Sequence, residues 1–210
     1  MKIGIIGAGK VGTGLTKLLV PKGHNVMLSF QKDMEKLRKV AGEFGARAGT
    51  VAEAAQFGDV VVLATPWAAT AEALAKVGRL PKTKILWDCT NSLKPDMSGL
   101  LLGTTTSAAE EVAKLAPWGN VVKAIPPFAE IMHSSSMLIG GARAGVFVCG
   151  DDAEARKVIS ELVEDIGAEA VDAGPLSIAR YAEPAAMLLV QLAYANGFGM
   201  RVGLAVNHGT

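Results

Sequence analysis

The sequence predicts an α/β protein with a Rossmann-like, doubly wound and mostly parallel sheet, helices on both faces and a C-terminal helical segment. Short apolar runs alternate with amphipathic helical stretches along most of the 210 residues, as in sheets covered by helices on both sides. A glycine-rich turn, GAGKVG at 7–12, joins the first run to the first helix. We therefore expect one domain over 1–210, with a core at 1–126 built round this turn and a C-terminal part at 127–210 that completes the ligand site and contacts a second subunit.

The individual elements follow from periodicity and from turn residues. Helices are expected between the strands, and a last helical stretch from about Ile178 onward is expected to be interrupted by Pro184 and by the glycines at 197, 199 and 203. The segment 128–145, rich in serine and glycine, departs from the alternation and predicts a long loop, whose length suggests a function. The predicted strands are IGII at 3–6, NVMLSF at 25–30, DVVVLAT at 59–65, KILWDCT at 84–90, NVVKAIP at 120–126 and GVFVCGDD at 145–152, followed by a short strand and turn in EAVDAGPLS at 169–177.

Composition restricts the kind of partner. The chain has 21 basic and 20 acidic residues, a net charge of +1, which argues against binding to nucleic acid or an anionic membrane. Cys89 and Cys149 lack the spacing of a metal site, and they predict buried thiols in a reducing, cytoplasmic compartment with no metal. The apolar segment at 184–195 is too short to span a bilayer and predicts a core or interface helix. The expected partner is a small molecule.

Each glycine of the motif has a separate task in a strand–turn–helix unit. Gly7 makes the tight turn, Gly9 lets backbone amides approach a pyrophosphate, and Gly12 allows close packing of helix on sheet. The phosphates of the dinucleotide would lie at the helix N-terminus, where free N–H groups and the helix dipole favour an anion.

The end of the second strand selects between cofactors. An acidic residue at this position binds the ribose hydroxyls of NAD and repels a 2′-phosphate. The segment instead reads Ser29, Phe30, Gln31 and Lys32. Lys32 is the expected partner of a 2′-phosphate, Ser29 and Gln31 add neutral hydrogen bonds, and the Phe30 ring packs on adenine. The sequence therefore favours NADP.

Further segments are shared with a particular group of reductases: GAGKVG at 7–12, GH at 23–24, TPW at 65–67, DCTN at 88–91, SAAEEVAKLAPWGNVVKAIP at 107–126, VCGDD at 148–152 and DAGPLSIAR at 172–180. With these segments the chain resembles, over nearly its whole length, the NADP oxidoreductases dependent on the 8-hydroxy-5-deazaflavin coenzyme F-420. The dinucleotide domain of the STEAP-type metalloreductases is similar. The resemblance implies hydride transfer between NADPH and a deazaflavin (coenzyme F-420) or flavin-type acceptor at the C-terminal edge of the sheet.

The resemblance also implies a set of site residues. The pyrophosphate loop is Ala8, Gly9, Lys10 and Val11, and the 2′-phosphate position is Gln31 and Lys32. The turn under the adenosine half is Thr65, Pro66 and Trp67, and the surroundings of the nicotinamide are Asn91, Ala124, Ile125 and Pro126.

Direct hydride transfer asks for alignment and exclusion of water more than for a catalytic acid. The C-terminal helix carries Arg180 and Glu183 but no lysine or histidine that would donate a proton. His133 is a possible proton donor or an ordinary surface residue, and Asp88 is interpreted as the cap of a turn that orders Asn91. Two alternatives stay open: an NADP-dependent reductase of a small carbonyl or imine that uses His133 or water, and a dinucleotide sensor without catalysis. The apolar C-terminal helix predicts a homodimer.

Overall fold

The computed structural model describes residues 1–30, 32–207 and 209. Its centre is an eight-stranded sheet in the order β3-β2-β1-β4-β5-β6-β7-β8. Neighbouring strands are parallel except for the antiparallel pair β6 and β7, which confirms the predicted fold class. The strands are β1 (Lys2–Ile6), β2 (Asn25–Ser29), β3 (Arg47–Ala48), β4 (Val60–Leu63), β5 (Lys84–Asp88), β6 (Gly119–Lys123), β7 (Gly145–Gly150) and β8 (Glu169–Gly174). The α-helices are α1 (Lys10–Leu19), α2 (Met34–Glu43), α3 (Val51–Phe57), α4 (Trp67–Ala75), α5 (Ala108–Leu115), α6 (Ala129–His133), α7 (Ala153–Asp165) and α8 (Ala179–Tyr194).

The sheet separates two helical layers, and strand β4 shows how. All four of its residues are buried. Because successive side chains point to opposite faces, Val60 and Val62 join the core formed with α1, α2, α6 and α7. Val61 and Leu63 join the core formed with α3, α4, α5 and the start of α8. This burial on both faces explains why the strand is continuously apolar.

Two sequence predictions need correction. The segment 128–145 is not a plain loop, because α6 forms at its start. Met132 is fully buried there against α1, where a Cβ on Gly14 would lie 3.0 Å from the Met132 Cβ. Helix α8 also continues through Pro184 instead of breaking. Glu183, the residue before the proline, is anchored by the buried contacts described below.

Helix α8 keeps part of its surface apolar and exposed, including Tyr181, Leu188 and Tyr194. No helix within the described ranges has the length and apolar character needed to cross a membrane.

Candidate active site

The turn between β1 and α1 depends on its glycines. Gly7 has a φ of +123°, and a Cβ on it would lie 2.3 Å from the Ala64 carbonyl oxygen. A Cβ on Gly12 would lie 1.8 Å from the Gly7 carbonyl oxygen. Gly9 differs, because a Cβ there would meet nothing within 4 Å. The first and third glycines are needed by the fold, whereas the second leaves open space in front of the helix.

That open space suits a pyrophosphate. Helix α1 begins at Lys10, directly after Gly9, and its first turn contains no acidic residue. Its free N–H groups and dipole therefore favour an anion. The Lys10 side chain is 80% exposed, and its Nζ lies 3.1 Å from Glu130 Oε1 on α6. Ala8 and Val11 pack on the core beside the turn.

The adenosine side of the predicted site lies at the end of β2. The Ser29 hydroxyl is buried and donates to the Ile5 carbonyl at 2.9 Å, so it points into the sheet and not toward a ribose. Gln31, a predicted ligand of the 2′-phosphate, lies outside the described residues.

Phe30 and the lysines around it form the outer part of this end. Phe30 has a φ of 61°, a strained value for an aromatic residue and one that marks functional turns. Lys76, at the end of α4, places its Nζ 5.4 Å from the Phe30 ring centroid. A hydrogen bond from Lys76 lowers the pKa of Glu72, and the charge of Lys32 acts in the same direction. Two lysines therefore share this corner, and the sequence pattern identified only Lys32.

The turn after β4 is rigid. Thr65 is buried, and its Oγ1 lies 3.1 Å from Thr70 Oγ1 on α4. The Pro66 carbonyl accepts a hydrogen bond from Thr70 at 3.3 Å. Thr65, Pro66 and Trp67 all line the large cavity described next.

A cavity of about 850 Å³ extends from the glycine turn along the carboxyl ends of β4, β5 and β6. Helix α8 and the segment 200–204 form its far wall. The Leu204 carbonyl accepts a hydrogen bond from Gly145 N at 2.7 Å, which holds this segment beside β7. The apolar side chains of the cavity include those of Ile125, Pro126, Pro127, Phe128, Val146, Leu189 and Val190.

Three residues of the predicted nicotinamide corner, Asn91, Ile125 and Pro126, line this cavity and with Thr90 form its floor, whereas Ala124 is not in the lining. Asn91 donates through Nδ2 to the Glu183 carbonyl at 3.2 Å. Asn91 Oδ1 and Thr90 Oγ1 are buried without a hydrogen-bond partner among the residues that the structure describes. Ala124 is buried, and its carbonyl accepts from Trp87 Nε1 at 2.7 Å. A carboxamide, which both donates and accepts hydrogen bonds, matches these orphaned oxygens.

A buried charge cluster under this floor was missed by the sequence analysis. Lys123 Nζ lies 2.7 Å from Asp88 Oδ2 and 3.1 Å from Glu183 Oε1, and it donates to the Thr90 carbonyl at 2.7 Å. Lys123 and Asp88 are fully buried, and Glu183 is 1% exposed. Burial lowers the pKa of Lys123, but the two carboxylates outweigh it and raise the pKa overall, so the lysine is charged. The sequence did contain a signal for this cluster: Asp88 and Lys123 each end a buried, apolar strand, and the two strands are neighbours in the sheet.

Asp88 also has the structural role that we expected of it. Its Oδ1 accepts from the Thr90 backbone N–H at 2.8 Å and so closes the turn that carries Asn91.

His133 lies away from the cavity. Its Nε2 is 2.9 Å from the Lys10 carbonyl oxygen and 3.3 Å from Thr13 Oγ1. Its ring centroid is 6.5 Å from that of Phe44. His133 therefore joins α6 to α1 and α2 and is not placed at the acceptor cavity.

Comparison with known proteins identifies the family. A sequence profile described as NADP oxidoreductase coenzyme F420-dependent matches residues 2–92. The F420-dependent NADP reductase of Methanothermobacter marburgensis is 30% identical over 213 residues, covering 93% of this chain and 94% of that protein. The chain belongs to the F420-dependent NADP reductase family. This confirms the resemblance drawn from its motifs.

The chain is also similar to two further proteins. The crystal structure of a candidate F420-dependent NADP reductase from Arthrobacter sp. FB24 has a TM-score of 0.86 and 27% identity, covering 99% of this chain and 100% of that one. Metalloreductase STEAP3 of Rattus norvegicus is 30% identical over 186 residues, which are 87% of this chain and 36% of the rat protein. The similarity to the Arthrobacter structure therefore covers nearly the whole of this chain and is not confined to the glycine motif.

Proposed function

We propose that this protein transfers a hydride between NADPH and a deazaflavin acceptor of the coenzyme F-420 class. The observation that carries the proposal is the apolar cavity that continues directly from the dinucleotide turn. Family membership and the relatives named for this reaction support the choice of acceptor.

Separate groups of residues suit the three polar parts of NADPH: the pyrophosphate, the 2′-phosphate and the carboxamide. The α1 N-terminus beside Gly9 would hold the pyrophosphate, and Lys32 with Lys76 would neutralise the 2′-phosphate. Thr90 and Asn91 would bind the carboxamide through the oxygens that lack partners.

The cavity walls suit a flat, largely apolar ring. When bound, NADPH supplies a hydride, the deazaflavin ring accepts it, and one proton comes from solvent. Pro126, Pro127 and Phe128 on one side and Leu189 with Val190 on the other exclude water and align the two rings. The described lining contains no histidine, and its one buried cation, Lys123, has all three protons directed at protein acceptors. Lys10, Lys94 and Tyr194 also line the cavity. A carbonyl reduction would need one of them, or water, as its proton donor, whereas direct transfer between stacked rings needs none from the lining.

The proposal is tested by following the loss of NADPH absorbance with coenzyme F-420, with FMN or FAD, and with a panel of ketoacids and cyclic imines. We expect turnover with F-420. Turnover only with ketoacids or imines would support the carbonyl or imine reductase. No turnover with any of them, together with intact NADPH binding, would support the sensor.

We also propose a homodimer, which the exposed apolar face of α8 supports, and a cytoplasmic location, which the two free and buried cysteines fit. Tyr181 and Leu188 are seven residues apart and therefore share one face of the helix. They expose 67% and 56% of their surfaces, and exposed large apolar side chains on one face favour association. Sedimentation velocity should show a dimer that Leu188→Lys dissociates. Leu115→Lys, at an exposed leucine of α5, is the matched control and should leave the dimer intact.

A further inference from the structure

The buried cluster of Lys123, Asp88 and Glu183 joins three separate parts of the chain. Lys123 ends β6, Asp88 ends β5 at the neighbouring position of the parallel ladder, and Glu183 comes from α8. Because side chains alternate along a strand, Lys123 and Asp88 point to the same face as Val121 and Leu86. That face is the layer of α4, α5 and the start of α8.

Glu183 connects this cluster to a helix terminus. Its Oε2 and Oε1 accept from the backbone N–H groups of Ala108 and Ala109 at 2.8 and 3.0 Å. The N-terminus of α5 therefore helps to balance the second carboxylate, which a single lysine leaves uncompensated. Glu183 is thus bound from two sides, and through its own carbonyl it also holds Asn91.

Lys123 holds the other half of the floor. It donates to the Thr90 carbonyl, while Asp88 accepts from the Thr90 N–H. The cluster therefore fixes both the N–H and the carbonyl of Thr90. The position of this backbone in turn sets where the Thr90 and Asn91 side chains lie.

We propose that Lys123 and Glu183 are positioning residues for hydride transfer, holding the Thr90–Asn91 turn that receives the nicotinamide carboxamide in register with the α8 wall of the acceptor cavity. The inference rests on the proposed function, because it assigns the nicotinamide to that turn. A buried ion cluster contributes little net stability, because burying its charges costs about as much as their attraction returns. Its role here is to fix one arrangement of the segments that it joins.

Lys123 itself does not act as a proton donor. Its side chain has no exposed surface, and its three protons face Asp88, Glu183 and the Thr90 carbonyl. Its effect on the reaction passes through Thr90.

The test compares two ligands that share the adenosine end. NADPH carries the nicotinamide, whereas adenosine 2′,5′-bisphosphate does not. For Lys123→Met and for Glu183→Gln we expect the dissociation constant of NADPH to rise about 10-fold, as for the loss of one well-placed polar contact, while that of the bisphosphate changes less than about 2-fold. The primary deuterium isotope effect with 4-deuterated NADPH should also change in both variants.

Arg180→Met is the matched control. Arg180 joins the same two helices through Glu110, at 2.7 Å, but it does not contact the floor. It should lower the melting temperature and leave the affinity ratio of the two ligands unchanged.

Three outcomes would overturn the inference: an equal loss of affinity for both ligands, no loss for either, or a changed ratio in the Arg180 control. Glu183→Gln keeps the size of the side chain and an oxygen acceptor, so it serves as the test if Lys123→Met does not fold. The proposed function is judged separately, by whether the unaltered protein reduces F-420. If it binds NADPH but reduces no deazaflavin, the proposed function fails and the affinity ratio still tests the positioning role.

Discussion

Lys76 Nζ lies over the Phe30 ring, 5.4 Å from its centroid, and this contact brings a helix end to the point where β2 stops. A cation over an aromatic ring is attracted by the ring quadrupole, and Lys76 Nζ also donates to Glu72 Oε1 at 2.6 Å within α4. The corner of Phe30, Lys32 and Lys76 therefore holds two cations beside the carboxylate of Glu72, where the sequence pattern indicated one lysine.

Replacing Lys76 should reduce discrimination between cofactors. We expect Lys76→Met to raise the dissociation constant of NADPH about 5-fold, corresponding to about 1 kcal/mol for one partly exposed charge contact. Affinity for NADH should not change. Lys32→Met should act in the same way, and the double variant more strongly. Fluorescence titration measures both constants. Lys114→Met, which loses a similar intrahelical ion pair, should alter neither, and an equal loss for NADH would exclude Lys76 from the phosphate site.

Two glycines of one motif should fail in different ways. Gly9→Ala meets open space, so the melting temperature should be almost unchanged while NADPH binding falls, because the new methyl group occupies the pyrophosphate position. Gly12→Ala would collide with the Gly7 carbonyl and should destabilise the protein by about 1–3 kcal/mol through overpacking. Thermal melting and NADPH titration of both variants distinguish these effects. Full NADPH affinity in Gly9→Ala would place the pyrophosphate elsewhere.

The Glu110–Arg180 pair should make stability depend on acid pH. A hydrogen bond from Arg180 is the largest cause that lowers the pKa of Glu110 below 4.5. Stability from this pair is therefore present above pH 4.5 and is lost as the pH falls through the lower value of the folded state. Arg180 is 37% exposed, so we expect Glu110→Gln to cost less than about 1 kcal/mol at pH 7. The difference from the unaltered protein should shrink as the pH falls below 4.5, and a difference that instead grew on acidification would contradict the assignment. Glu161→Gln, at an exposed position of α7, is the control and should leave this pH dependence unchanged.

Both cysteines should be unreactive in the folded protein. They are free and buried, as their spacing predicted. Burial raises the pKa of the Cys149 thiol to about 11 and that of Cys89 well above its ordinary value, so neither is a thiolate at neutral pH. We expect negligible labelling by iodoacetamide at pH 7.5 and labelling of two thiols per chain in urea. Fast labelling without denaturant would show that one of these sites opens.

The sequence by itself determined the fold class, the dinucleotide turn and the family. Each of these depends on local patterns: glycines at 7, 9 and 12 between a strand and a helix, continuous apolar runs such as that of β4, and motifs such as DCTN at 88–91. A tight turn or a buried strand restricts which residue types can stand at consecutive positions. Such a local restriction is visible in a single sequence.

Only the tertiary structure decided which distant side chains meet. Lys123 and Glu183 are sixty residues apart in the chain, and their contact depends on how α8 crosses the sheet edge. The same holds for Lys76 beside Phe30, for the inward turn of the Ser29 hydroxyl, and for the attachment of His133 to α1 instead of to the cavity. Packing between layers sets these contacts, because long-range burial and charge balance are satisfied by the whole fold and leave no fixed spacing in the sequence.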